Sequence, residues 1–168
     1  MATAHVPSIQ RDLPRLTAGL RFVAFIAANL LFALIGTAIF ETTAGKFFQP
    51  RTLTEILWKE WTLSVVCASF LGFGVHRGWK NAAAKWTWIL PSLWFLIRFV
   101  PALLSGASKS VFGFQYPNTS LWFQFSGLGC KEGSRALGCM NFLIFTIPLI
   151  RGFAYSFGSY LSARMDSE

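Results

Sequence analysis

Charge is scarce in this chain. Lys, Arg, Asp and Glu together make up 13% of its 168 residues, about half the usual share of a soluble domain, so a water-exposed fold would lack the polar surface to cover itself. Carboxylates are scarcer still, seven in all, beside two histidines and three cysteines. So few ligating groups leave no cluster at metal-site spacing, and His5 and His76 stand far from Cys130 and Cys139. Neither a nucleophile–base pair nor a phosphate-cradling glycine loop is present, which argues against catalysis and against a bound cofactor. The chain also has no low-complexity linker, no repeat of solenoid length and no second soluble domain.

Apolar residues fill the space that charge leaves. They account for 54% of the chain, with eighteen Phe and seven Trp among them. Four long apolar stretches run from Leu20 to Phe40, Leu53 to Val75, Ala82 to Leu104 and Met140 to Leu161. At about 1.5 Å per helical residue each can cross a hydrocarbon core about 30 Å thick. The reading is an all-α membrane protein of one domain, residues 1–168, with four transmembrane helices in an up-down bundle. A lead at residues 1–19 and an outer loop at residues 105–139 complete it. Trp58 and Trp61 fall at one end of the second stretch, and Trp79, Trp86 and Trp88 cluster at the start of the third, where anchoring indoles belong. The expected setting is multi-pass, in a bacterial inner membrane or a plasma membrane.

The net charge of +8 sits in short connectors rather than in one basic stripe with interleaved aromatics, so nucleic acid is not an expected partner. Basic connectors report topology instead. Arg11, Arg15, Arg21, Arg77, Lys80, Lys85 and Arg164 fall on one side of such a bundle; Lys46, Arg51, Lys59, Lys109, Lys131 and Arg135 fall on the other. The counts barely differ, but the second set is balanced by Glu41, Glu55, Glu60 and Glu132, all read here as outer residues. Both termini are therefore expected in the cytoplasm. The first apolar stretch is longer than the core of a cleaved signal peptide and lacks a small-residue cleavage site, which makes it a signal anchor.

Helix punctuation is legible. Asp12 with Pro14 offers an N-cap and first turn for the first helix, Thr52 with Glu55 a capping box for the second, and Asn81 a cap for the third, with Gly106 as its stop. The outer loop is greasy, with Phe112, Phe114, Trp122, Phe123 and Phe125, and should lie against its own helix ends. Within it Cys130 and Cys139 flank a polar stretch rich in turn formers, spacing suited to a disulfide. Cys67, mid-helix, reads as packing. In size, helix number and a cysteine pair in the second outer loop, the chain resembles the quinone-linked disulfide-forming membrane proteins of bacteria. Their chemistry needs a further pair in the first outer loop, and residues 41–60 contain no cysteine. The resemblance implies architecture and not activity.

Two arginines fall inside the apolar stretches. Arg98 lies about 9 Å from the outer end of its helix and Arg151 about 15 Å along the fourth, near mid-membrane. A guanidinium there costs at least about 2.5 kcal/mol unless compensated. Arg98 can snorkel. Arg151 is expected to point inward, toward Glu60, Asn29, a carbonyl freed by Pro91 or Pro148, or an anionic lipid head group. Arg98, Arg151, Glu60 and Asn29 are thus the candidate ligand-binding residues, with no carboxylate at the membrane midplane to favour proton coupling. Ala154, Gly158 and Ser162 recur every fourth position, as do Ala24 and Ala28, and both sets read as close-packing faces, within the bundle or toward a membrane-protein partner or a second copy. The function expected is that of a non-catalytic accessory or assembly component. The alternative is a small transporter or channel-forming subunit taking an anionic or amphipathic solute near the arginines.

Overall fold

The computed structural model describes residues 9–47, 53–104, 125 and 141–168. The Cys130–Cys139 pair, the Thr52 cap and the Gly106 stop lie outside the described residues. Among the described residues the long helices are α1 (Ile9–Ala44), α2 (Leu53–Trp79), α3 (Ile89–Leu104) and α4 (Ile147–Met165). A 3-10 turn at Gly45–Phe47 follows α1, another at Ala82–Trp86 precedes α3, and a π-helical turn at Phe142–Thr146 leads into α4. No strand occurs among the described residues. Three stretches, Thr17–Ala44, Ala82–Leu104 and Phe142–Met165, are long and apolar enough to cross a membrane. Helix α2, at 27 residues, is about 40 Å long but carries Lys59 and Glu60 near one end and His76 and Arg77 near the other.

Helices α1, α3 and α4 differ from expectation at their ends, for identifiable reasons. Helix α1 begins at Ile9, ahead of Asp12, and runs on to Ala44, so that Glu41 belongs to it and not to a connector. Asn81 does cap, its Oδ1 accepting from the Ala83 amide at 3.0 Å, but the turn it caps is 3-10. Pro91 is the third residue of α3 and interrupts no ladder there; the proline inside that helix is Pro101. Pro148 is the second residue of α4, and the preceding π turn, where the Ile147 amide reaches back to the Phe142 carbonyl, absorbs its missing amide.

Helix α4 is the hub. It touches α1, α2, α3 and the 3-10 turn before α3, and packs most extensively along α2. Small residues allow that approach. A methyl added at Gly158 would overlap the Ser69 carbonyl, and one at Gly72 would overlap the Tyr155 carbonyl, so the two backbones are in direct contact at two levels. Ala154, Gly158 and Ser162 are all buried on this face. On α1 the spaced alanines do not pack within the bundle: Ala24 and Ala28 are exposed, and the buried stripe is Ile26, Asn29, Ala33, Thr37 and Glu41. The α2–α3 connection lies beside the C-terminus, where Lys80 pairs with Asp166. Lys80 there adopts a left-handed conformation, φ 51°, and its amide closes the helix on the His76 carbonyl at 2.7 Å. At the opposite end Phe125 is buried against Phe95, Phe99 and Phe145, at ring distances of 5.2, 5.5 and 6.2 Å, and its carbonyl accepts from Thr146 at 2.5 Å. At that one residue the segment between α3 and α4 packs on helix ends.

Candidate functional site

The buried face of α1 is built from residues spaced by four: Asn29, Ala33, Thr37 and Glu41. Three are polar, and Asn29 and Thr37 are the polar residues of the stretch from Phe22 to Phe40. Thr37 settles its hydroxyl on the Ala33 carbonyl one turn back. Asn29 and Glu41 instead reach other helices, and each meets one residue of α4.

The larger of the two contacts centres on Arg151. Its guanidinium pairs with Glu41 through Nη2 and Oε2, while Nε donates to Ser64 Oγ and Nη1 to the Leu34 carbonyl, both at 3.4 Å. Ser64, fully buried on α2, donates in turn to Glu41 Oε1 at 2.5 Å. The side chains of Arg151 and Glu41 are only 12% and 9% exposed, so the pair is largely buried between three helices, with Glu41 reaching the protein surface at its edge. Arg151 therefore points into the bundle, and its acceptors are Glu41, Ser64 and Leu34 rather than Glu60, Asn29 or a proline-freed carbonyl. Glu41, read as an outer connector residue, belongs instead to the last turn of α1. The missed signal was the four-residue spacing from Asn29 to Glu41, which sets Glu41 on the inner face of α1 once the helix continues past Phe40.

One turn further along α4, Tyr155 is fully buried and donates through its hydroxyl to Asn29 Oδ1 at 3.2 Å; the Asn29 amide donates to the Phe25 carbonyl at 2.8 Å. Asn29 thus serves Tyr155. Arg98 is set apart from this network: half-buried on α3, it lies over the Phe145 ring with its guanidinium carbon 5.1 Å from the centroid. Glu60 is half-buried on α2 and lines a groove of about 390 Å³ with Ala38, Glu41, Thr42, Lys46 and Lys59. Of the four candidate residues, the structure brings Arg151 and Asn29 into the core, Arg98 onto an aromatic ring and Glu60 to the groove.

At the far end, the exposed Lys80–Asp166 pair holds the Asp166 carboxyl below its ordinary value, chiefly through the hydrogen bond from Lys80. His76 Nδ1 lies 3.2 Å from the Asn81 carbonyl oxygen. Among the described residues no group of three His, Cys, Asp or Glu could hold a metal, and Cys67 is free. The arrangement defines a helical bundle with membrane-length helices and a buried inter-helix ion pair. Comparison with protein-family models, curated proteins and solved structures finds no match to this chain.

Proposed function

We propose that the chain is a non-catalytic, multi-pass membrane protein acting as an accessory or assembly component of a membrane complex. The observation that carries this reading is the burial of Arg151 between helices: its side chain is 12% exposed and its guanidinium meets Glu41, Ser64 and the Leu34 carbonyl. An anionic solute would have to displace Glu41 to reach it. The pair thus joins helices rather than awaiting cargo, and this disfavours the alternative of a small transporter or channel-forming subunit. Support also comes from small residues left facing outward. Ala24 and Ala28 on α1 are exposed, and a methyl at Gly74 or Gly78 of α2 would meet no atom within 4 Å. Such surfaces let a neighbouring transmembrane helix approach closely.

In this reading α2 crosses the bilayer with the other three helices, because it lies along α4 over the Gly72 and Gly158 contacts, and both termini are cytoplasmic. The setting is a bacterial inner membrane or a plasma membrane. The test is copurification from native membranes after mild crosslinking, with wild type compared against Ala24→Leu/Ala28→Leu. A protein partner recovered with wild type and lost from the folded variant supports assembly. A chain recovered alone, which passes solute in vesicles, overturns it.

A further inference from the structure

The groove beside the buried ion pair is lined by charges of both signs. Glu41 and Thr42 come from the last turn of α1, Lys46 from the 3-10 turn after it, and Lys59 and Glu60 from the first turns of α2. It lies at the end of a membrane-length helix, where a bilayer's head groups would begin. Its volume, about 390 Å³, falls within the range of small-molecule sites. Lys46 and Glu60 line it without an ion pair or hydrogen bond to another described residue. Both charges face the groove uncommitted to each other.

Two features favour a positive group at its inner side. The Glu60 carboxylate is near enough to repel that of Glu41, whose charge the Arg151 guanidinium already balances, which leaves Glu60 as the negative charge in need of a partner. The C-terminal carbonyls of α1 end here and add the negative pole of the helix. The lysines at positions 46 and 59 suit the opposite charge. A simple anion would meet Glu41 and Glu60, and a simple cation would meet the lysines. A ligand carrying both charges a few ångströms apart meets neither conflict.

We propose that the groove formed by Glu41, Thr42, Lys46, Lys59 and Glu60 binds an amine–phosphate zwitterion, with its ammonium toward Glu60 and Glu41 and its phosphate toward Lys46 and Lys59. The source is a phospholipid head group or the corresponding free phosphoethanolamine. The inference needs only that this end of α1 lies at a membrane surface, and it stands apart from the assembly reading. A primary ammonium donates hydrogen bonds to carboxylates that a quaternary one cannot.

The test incorporates the full chain into vesicles of phosphatidylethanolamine and phosphatidylglycerol in equal parts, or phosphatidylcholine and phosphatidylglycerol in equal parts, and weighs the lipid retained after detergent extraction by native mass spectrometry. Wild type should retain phosphatidylethanolamine over phosphatidylcholine. Glu60→Gln and Lys46→Ala, both changes at the groove surface, should each weaken retention by about tenfold, the loss of one charge-assisted hydrogen bond, while thermal unfolding shows that the fold survives. Competition by free phosphoethanolamine at millimolar concentration would assign a soluble source, and its failure a lipid one; either supports the site. Equal retention of the two lipids with no effect of free phosphoethanolamine, or retention unchanged in both variants, overturns it. The copurification experiment would be unaffected by that outcome.

Discussion

Helix α4 and helix α1 have opposite distributions of burial and polarity. Of the most apolar window in the α4 region, 61% is buried, against 22% in α1 and 17% in the α3 region. Yet α1 is the more apolar, and α4 carries Arg151, Tyr155, Ser156, Ser159 and Ser162. In water the apolar helix would be the buried one. In lipid the order reverses, because hydrocarbon solvates Leu and Phe as well as protein does, and only groups that need a partner or a close backbone must be inside. Exposed Leu20, Phe25, Ile35 and Ile39 on α1 are what a helix long and apolar enough to cross a membrane presents to lipid.

The comparison breaks most sharply where α4 touches α2. Gly158→Leu would drive a side chain into the Ser69 carbonyl and should cost roughly 4 kcal/mol or more, in the range of severe overpacking. Gly74→Leu, set in open space on the same α2 helix, should stay within about 0.5 kcal/mol. Thermal unfolding of both in detergent checks the pair; similar losses would mean that close α2–α4 contact is not what holds the bundle.

Next comes the ion pair. Arg151→Leu leaves the Glu41 carboxylate buried without its counter-charge and should destabilise by about 3–5 kcal/mol, whereas Arg151→Leu with Glu41→Leu should recover much of the loss. A double-mutant cycle by chemical unfolding reads the coupling. The contact of Arg98 with the Phe145 ring is worth about 1 kcal/mol, and Arg98→Leu should cost less than Arg151→Leu. If Arg98 and Arg151 prove equally sensitive, the distinction between them fails.

Tyr155→Phe deletes only the hydroxyl on Asn29 and is expected to cost about 1 kcal/mol, with the acceptor left unsatisfied. Asn29→Ala should then add little on that background.

The smallest effect belongs to the exposed pair at the other end. Lys80 lowers the Asp166 carboxyl, and a group depressed in the folded state contributes stability above its unfolded value, lost as pH falls through the folded one. That window lies below the ordinary value of 3.8. Lys80→Ala should return the Asp166 titration toward 3.8 by NMR and hardly move the melting temperature, the more so in high salt.

Much of this was legible along single helices. The four-residue steps of Ala154, Gly158 and Ser162 mark a close-packing face, and the depth of Arg151 requires it to turn inward, since both follow from helical pitch and the cost of charge in hydrocarbon. Asn81 as a cap is equally local. Positions 24 and 28 show the limit of that reasoning. Alanine at the same spacing can face lipid as well as a neighbour, because neither surface rejects a small apolar group, and here it faces out.

The sequence by itself determined an all-helical chain with membrane-length apolar segments, one helix able to pack tightly, and a buried arginine in need of acceptors. Only the tertiary structure decided which acceptors those are. Glu60 and Glu41 both stand near the same end of the bundle; the choice between them depends on how far α1 extends and on the rotation and vertical register of α1, α2 and α4. Those are set jointly by backbone contact at Gly72 and Gly158 and by the pairing of polar atoms across helices, because periodicity fixes a residue's face on its own helix but not the neighbour which that face will meet.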